Sequence, residues 1–231
     1  MLVRKKKIFV GILSITVICV VLYLLTVLIN NLQYTPNISA NDVALVQVCG
    51  ETIYLSDINR TYDSLYGYMD SLDEDTIRMY KREILENGIN ELIIIYEGLA
   101  MGMDLDIESA RLLVEQLKTE KPDIYSLADD QIGIERYTLD LARSNLIRDV
   151  RKIVLKDFSL PAISDDKLHN WYCEQLTALG QDQVVEYDTF LKNREYVYQK
   201  WKEQCENTYF NEWLAQKRAG YEVEYLIKEI S

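Results

Sequence analysis

A run of apolar residues near the start of the chain constrains its architecture more than any other feature. Residues 8–29, IFVGILSITVICVVLYLLTVLI, form a stretch of 22 residues without a charged side chain. At about 1.5 Å per residue, a helix of this length covers the roughly 30 Å hydrocarbon core of a bilayer. A cleaved signal peptide has a shorter apolar core, about 7–15 residues, followed by small residues. Here Asn30 and Asn31 follow the run, so the sequence predicts a retained transmembrane helix over residues 8–29.

Basic side chains lie on only one side of this run. Arg4, Lys5, Lys6 and Lys7 precede it, and no Lys or Arg follows until Arg60. Cytoplasmic flanks of membrane helices are enriched in Lys and Arg. The sequence therefore predicts a single-pass protein of the cell membrane. It would have a cytoplasmic basic tail (1–7), a linker (30–42) and an extracytoplasmic domain (43–231).

The chain beyond the basic tail is strongly acidic. Without those four residues it has 21 basic side chains against 37 acidic ones. Such a surface repels the phosphates of nucleic acids and anionic lipid headgroups. We therefore expect no nucleic-acid partner, and we expect contact with the membrane through the N-terminal helix alone.

The predicted extracytoplasmic domain begins with two short strands and ends with one. Apolar residues 44–48 precede Cys49 and Gly50, and residues 51–55 alternate in polarity, which is typical of a hairpin. Residues 221–227, YEVEYLI, also alternate. Because an isolated hairpin is only marginally stable in water, we expect the last strand to complete a small β-sheet with the first two.

Helical patterns occupy most of the sequence between these strands. Ser56 is the predicted N-cap of the first helix, and Asp73, Asp106 and Ser164 are those of later helices. The apolar run at 92–95 indicates that the second helix is central, and a long helix is predicted over about 187–218. The first helix has an apolar seam at a spacing of four and three residues: Ile58, Tyr62, Leu65, Met69 and Leu72. The predicted fold is therefore mainly α with a small β-sheet, preceded by one transmembrane helix.

No constellation of residues points to a metal, a cofactor or a catalytic group. Three cysteines follow the apolar run, Cys49, Cys173 and Cys205, and either one disulfide with a spare thiol or three buried thiols fits this odd number. The spacings typical of zinc sites are absent. Residues 104–115 partly match a calcium loop, but Ser109 replaces the glycine of its sharp turn. We therefore predict no metal site, no cofactor and no catalytic residue.

Several segments resemble the extracytoplasmic foldases of the SurA/PrsA type. The first is ALVQVCGETIYLSDINRTY, which is similar to the strand, turn, strand and helix that open the chaperone region of those proteins. The second is INELIIIYEGLAMGMDLDIESARLLV, and the closing FNEWLAQKRAGYEVEYL resembles their final helix and strand. The matching positions are Val48, Gly50, Glu51, Ile53, Asp57, Leu92, Ala100, Gly102, Leu105, Asp106, Val114, Trp213, Leu214, Ala219, Val223 and Tyr225. The resemblance implies a helical chaperone-like domain over residues 43–231.

This sequence departs from the family pattern at the first turn. Cys49 stands where the relatives usually have Asn. Asn tolerates a positive φ and Cys does not, so a different turn type is open at this position. A reactive thiol and a small buried residue are the two interpretations of Cys49, and the second is favoured because free cysteines are usually buried.

A second departure concerns the isomerase domain that the relatives often carry. ISDDKLHNWYCEQ resembles the segment that leads into a parvulin-type prolyl isomerase domain, but only residues 176–186 separate it from the closing helix. Parvulin sites use a pair of histidines, and His169 is the single histidine of this chain. The resemblance therefore implies a chaperone-like protein that is not an enzyme. A prolyl isomerase is the least favoured function.

The chain has 17 tyrosines, whose amphipathic rings suit contact with unfolded polypeptide. Tyr66, Tyr68 and Tyr198 fall off the main helical seams, and we predict that they contact clients. The predicted function is to bind unfolded or newly secreted polypeptides without catalysis. The alternative is a non-chaperone interaction subunit dedicated to one partner in a membrane complex. A large continuous apolar patch would favour that alternative.

Overall fold

A computed structural model of the protein describes residues 42–69, 72–120, 131–178 and 186–227, with the backbone alone at residues 131 and 132. The predicted basic tail, the predicted transmembrane helix and all of the predicted linker except Asp42 lie outside these ranges. Among the residues that are described, no helix has the length and apolar character needed to cross a membrane.

The described chain separates into two compact units. The larger unit contains residues 43–104 and 143–227, and the smaller contains residues 105–120 and 131–142 together with Asp42. The smaller unit consists of helix α3 (Ile107–Glu120) and the first half of helix α4 (Gln131–Val154). Its buried side chains are Ala110, Val114, Thr138, Leu139 and Ala142.

The larger unit combines helices with a small sheet. Its elements in chain order are β1 (Ala44–Val48), β2 (Glu51–Tyr54), α1 (Leu55–Tyr66), α2 (Glu74–Ala100), the second half of α4, a 3₁₀ turn (Leu155–Asp157), α5 (Asp165–Ala178), α6 (Tyr187–Arg218) and β3 (Val223–Tyr225). The predicted fold class, mainly α with a small β-sheet, is confirmed for the described residues.

The three strands form one antiparallel sheet in the order β2-β1-β3. Val46 of the central strand pairs with Ile53 on one side and with Tyr225 on the other. The prediction that the last strand joins the hairpin is therefore confirmed. The strand is shorter than predicted, since Tyr221 and Glu222 belong to the connection from α6.

The hairpin turn keeps the geometry that an Asn-Gly pair would adopt. Cys49 has φ of +54° and Gly50 has φ of +83°, and Val48 pairs with Glu51 across a two-residue loop. Two successive residues with positive φ are the pattern of a type I′ turn, whose twist matches that of the strands. Cys49 therefore occupies the left-handed region, where a residue with a side-chain Cβ is strained.

Capping side chains explain where two helices begin, whereas a third helix begins at a different residue from the one predicted. The Asp73 carboxylate accepts the Thr76 N–H at 2.9 Å, and the Asp106 carboxylate accepts the Ser109 N–H at 2.9 Å, as predicted. The prediction that Ser56 is an N-cap was wrong. Helix α1 starts at Leu55 with Tyr54 as its N-cap, two residues earlier than predicted, because β2 runs straight into it.

Helix α2 is central in the larger unit, as the sequence predicted. Residues 92–95 are buried on all sides, and Ile89 and Ile93 are fully buried. Gly98 allows close contact with α4, since a Cβ at this position would lie 2.6 Å from Val150 Cγ2 and 3.1 Å from Leu146 Cδ1. At Gly98, α2 therefore packs against α4 without space for one extra methyl group.

A separate apolar cluster joins α5 to α6. Its buried members are Leu168, Phe190, Val197 and Trp201. The Arg194 guanidinium donates to the Asp165 carboxylate at 2.7 Å beside it. Contact between these two helices is therefore both apolar and ionic.

Candidate functional site

Four exposed apolar side chains lie where α1 ends and α2 begins. The exposed fractions are 76% for Tyr68, 57% for Met79, 51% for Leu65 and 40% for Met69. We call these four residues the tip surface. Exposed apolar side chains mark a contact site for another molecule where several of them form one patch, so the concentration of four at one end of a helix pair makes this the candidate site.

The local backbone explains why this part of the chain is open. Helix α1 ends at Tyr66, and the Gly67 N–H donates to the Asp63 carbonyl at 3.0 Å. The Met69 N–H then donates to the Tyr66 carbonyl at 2.9 Å. This tight turn takes Tyr68 and Met69 out of the helical period before α2 begins at Glu74.

The apolar seam predicted for the first helix is therefore only partly correct. Ile58 is buried as expected, but Leu65 and Met69 are exposed. The spacing of four and three residues is meaningful only while the chain stays helical. Because the helix ends at Tyr66, Met69 does not continue the seam. Leu65 and Met69 are two residues of the candidate site that the sequence analysis assigned to the interior.

A stack of aromatic rings supports the tip surface. The Tyr66 ring lies parallel to the Tyr80 ring, with centroids 4.3 Å apart and an interplanar angle of 4°. Tyr62 tilts against Tyr66 at 5.6 Å, and the Lys81 ammonium lies 6.0 Å from the Tyr62 ring centroid. Tyr66 and Tyr80 are half-buried. The stack holds the end of α1 against the first turns of α2.

The three tyrosines predicted to contact clients have different surroundings. Tyr68 is exposed on the tip surface, and Tyr66 belongs to the stack beneath it. Tyr198 is half-buried against the α5–α6 cluster, with its ring centroid 5.7 Å from that of Trp201. Two of the three residues therefore lie at the tip, while Tyr198 lies on a different pair of helices. The role of all three in client contact stays a prediction.

A polar network binds the end of the described chain to α2. Arg218 donates to Glu86 Oε2 at 2.7 Å and to Asn90 Oδ1 at 2.8 Å, and the Tyr225 hydroxyl donates to Glu86 Oε1 at 2.8 Å. We call these four residues the C-terminal network. Burial by itself raises the pKa of Glu86, but the hydrogen bonds from Arg218 and Tyr225 outweigh it, and the net pKa is lowered.

A second polar group attaches the end of α6 to α2, further along α2 at Glu97. Glu97 accepts from Lys217 at 2.6 Å and from the Tyr221 hydroxyl at 2.9 Å. Burial, followed by the bond to Glu97, raises the pKa of Tyr221 to about 12. The stabilisation from this neutral phenol is fully present below pH about 10, the unfolded value, and is lost as pH rises through about 12.

The three cysteines of the described chain are free thiols. Cys49 is half-buried, and burial together with the nearby Glu51 carboxylate raises its pKa. A raised pKa keeps the sulfur in its protonated and weakly nucleophilic form. This supports the interpretation of Cys49 as a structural residue and not as a reactive thiol.

The single histidine of the chain packs among other side chains. His169 Nε2 lies 3.6 Å from Cys173 Sγ within α5, and its ring contacts those of Tyr187 and Phe190 at centroid distances of 5.2 and 5.0 Å. Throughout the described part of the chain, no group of three or more His, Cys, Asp or Glu residues is arranged to hold a metal ion.

The chemistry available at the tip surface is noncovalent. Methionine and leucine offer adaptable apolar contact, and a tyrosine adds a hydroxyl that donates or accepts a hydrogen bond. Comparison with known proteins adds no relative on which to base a role: no family model matches this chain, and no curated protein matches it.

Proposed function

We propose that this protein is a chaperone-like binder of unfolded or newly secreted polypeptides, and that clients contact it at the tip surface. The observation that carries the proposal is the exposure of Leu65, Tyr68, Met69 and Met79 at one end of the α1–α2 pair. The resemblance of several segments to SurA/PrsA-type foldases supports the same function. Binding requires no covalent step.

The side chains at the tip favour varied clients over one fixed partner. Two of the four are methionines, whose three rotatable bonds adapt to differently shaped apolar groups. Flexible methionine-rich surfaces are typical of proteins that bind many sequences. A dedicated partner would be better matched by a large continuous apolar patch with complementary shape.

The proposed site of action is the outer side of the cell membrane. The uncharged run at 8–29 and the basic residues before it support an anchor whose N-terminal end is cytoplasmic. A single cysteine placed at residue 36 in a background with Ser at the four native cysteines tests this topology in intact cells. Labelling by a membrane-impermeant maleimide is expected, and protection of that cysteine until the cells are lysed would contradict the orientation.

Aggregation of an unfolded client tests the proposed binding. The full chain, held in phosphatidylcholine nanodiscs, is added to a chemically unfolded protein while light scattering is followed. We expect suppression at near-equimolar ratios, with empty nanodiscs as the blank. The double variant Tyr68→Ser, Met79→Ser should lose most of it. Tyr196→Ser is the matched control, because Tyr196 is 61% exposed on α6, outside the tip surface.

Two results would overturn parts of this proposal. Equal loss of suppression in the Tyr196→Ser control would mean that general surface hydrophobicity, and not the tip, holds clients. The absence of suppression with several unrelated clients would exclude general chaperoning. It would favour the alternative, an interaction subunit dedicated to one partner in a membrane complex.

A further inference from the structure

Exposed carboxylates lie close in the chain to the tip surface, and two basic side chains of the same region, Arg78 and Lys81, contact Asp75 and the Tyr62 ring. Asp63 lies in the last turn of α1, Asp73 and Glu74 lie at the start of α2, and all three are exposed. The sequence contains no Lys or Arg between Arg60 and Arg78. The guanidinium of Arg78 is itself held by Asp75 at 2.6 Å. This end of the helix pair therefore exposes apolar side chains together with three carboxylates, Asp63, Asp73 and Glu74, which we call the acidic rim.

Local helix stability accounts for part of this acidic rim. Asp73 caps α2, and Glu74 and Asp75 lie in its first turn, where a negative charge is favourable because the helix dipole is positive there. The hydrogen bonds of Asp73 with Thr76 lower its pKa, so this carboxylate is ionised at neutral pH. These residues have a structural reason to be acidic, whatever they contact.

Asp63 has no such local reason. It lies in the last turn of α1, which has no basic residue, and a negative charge at a helix C-terminus is unfavourable because the helix dipole is negative there. No ion pair is formed by Asp63 with any other described residue. Its charge therefore destabilises the free protein slightly and is available to a bound molecule.

We propose that the tip surface selects cationic amphipathic segments, in which an apolar stretch is flanked by Lys or Arg. This inference rests on the proposed function, since it names the chemical class of client that the tip prefers. The apolar side chains of the segment contact Leu65, Tyr68, Met69 and Met79. Its basic side chains lie against Asp63 and Glu74. Segments flanked by Asp or Glu are rejected by like-charge repulsion.

The expected preference is moderate and depends on salt. Exposed ion pairs contribute roughly 0.2–1 kcal/mol each, so two or three pairs give about a tenfold difference between basic and acidic flanks. Salt at about 1 M reduces the Debye length to about 3 Å. The preference should then almost disappear, while apolar binding remains.

Three labelled peptides with the same Leu- and Phe-containing centre and with Lys, Ser or Glu flanks test this proposal. Fluorescence anisotropy is measured with the full chain in phosphatidylcholine nanodiscs, with empty nanodiscs subtracted. At about 20 mM salt we expect the Lys-flanked peptide to bind most tightly and the Glu-flanked peptide about tenfold more weakly. The Ser-flanked peptide should lie between them.

Two charge-matched variants separate local selection from the overall acidity of the chain. Asp63→Asn, Glu74→Gln removes two charges at the tip, and Asp188→Asn, Glu212→Gln removes two exposed charges from α6. We expect the first variant to lose most of the preference and to keep its affinity for the Ser-flanked peptide. The second variant should keep the preference.

The possible failures are distinguishable. Equal binding of all three peptides would overturn the selection and leave the proposed chaperone function intact. An equal effect of the two variants would assign the preference to net charge and also overturn it. If the Ser-flanked peptide does not bind, and Tyr68→Ser, Met79→Ser changes nothing, the proposed function itself fails.

Discussion

The two ends of helix α2 have opposite properties, although they belong to one continuous helix. At its start Met79 is 57% exposed, whereas Ile89 and Ile93 further along are 0% exposed. The later half contacts the sheet and α6 and is held by the C-terminal network. The first turns contact the end of α1 through the Tyr66–Tyr80 stack and through Lys81, which lies over the Tyr62 ring.

This difference separates the residues that stabilise the fold from those available for binding. In the later half, every apolar side chain from 92 to 95 is buried, and the nearby acids accept from Arg218, Lys217 and two tyrosines. At the start, exposed apolar residues and carboxylates face water. Substitutions at the two ends should therefore have opposite effects on stability and on client binding.

The largest expected effect is the loss of a buried side chain in the later half of α2. Ile93→Ala should lower the free energy of unfolding by about 2–5 kcal/mol, because it removes apolar burial and leaves a cavity. Met79→Ala should change it by less than about 0.5 kcal/mol and should weaken aggregation suppression instead. Urea unfolding followed by circular dichroism measures the first quantity. Comparable destabilisation by the two substitutions would contradict the comparison.

A methyl group added at Gly98, where α2 packs on α4, should also destabilise the protein. Gly98→Ala places a Cβ against Val150 and Leu146, and we expect a loss of about 1–3 kcal/mol from overpacking. Gly88→Ala is the matched control in the same helix. Its Cβ would meet only Ile53 Cδ1 at 3.4 Å, and the better helix propensity of Ala should stabilise by up to about 1 kcal/mol. The same sign for both substitutions would contradict this account of the α2–α4 contact.

Replacing the Arg218 guanidinium with a lysine ammonium tests the C-terminal network. Arg218→Lys keeps the charge, but one ammonium does not reproduce the paired bonds to Glu86 and Asn90. We expect a loss of about 1–2 kcal/mol at pH 7. Arg78→Lys, at the exposed pair with Asp75 near the tip, should cost less than about 0.5 kcal/mol. Equal losses would show that ion pairs stabilise the later half of α2 no more than they stabilise its start.

The loss of stability caused by Arg218→Lys should depend on pH in a definite direction. The pKa of Glu86 is lowered in the folded chain, so its contribution to stability is present above the unfolded value of about 4.3 and is lost as pH falls through the folded value. The difference in unfolding free energy between the wild-type chain and Arg218→Lys should therefore shrink in acid. A difference that stays constant from pH 7 to pH 3 would mean that Glu86 is not the residue involved.

Periodicity predicted the core of α2 well and the tip poorly. Residues 92–95 are apolar on every face of a helix, so any helix containing them must be buried, as the structure confirms. Leu65 and Met69 also match the helical period, but Met69 lies beyond the end of the helix at Tyr66 and Leu65 lies in its exposed last turn. Where a helix ends depends on one turn of backbone hydrogen bonds at Gly67 and Met69, and such a turn has a weak sequence signal.

Contacts between residues distant in sequence were even harder to predict. The instability of an isolated hairpin predicted that the last strand joins the first two in one sheet, and this is confirmed. That β3 pairs with β1 and not with β2 was not predicted. Nothing in the spacing of Glu86, Asn90 and Arg218 indicates that they meet, because no local period relates residues separated by more than a hundred positions. The stacking of Tyr66 on Tyr80 was missed for a different reason: it depends on how two consecutive helices pack across the turn between them.

The smallest expected effect concerns the hairpin turn of the sheet, where a substitution should change stability without changing client binding. Cys49 has φ of +54°, a conformation that Asn adopts more easily than Cys does. Cys49→Asn should therefore raise the free energy of unfolding by up to about 1 kcal/mol.

Cys49→Ala is the control for this substitution, because it removes the thiol and keeps the backbone strain. A gain for Asn without a gain for Ala, measured by the urea midpoint, would assign the effect to the backbone. Equal gains would assign it to loss of the half-buried sulfur. Aggregation suppression should be unchanged in both variants, since the turn contributes nothing to the tip surface.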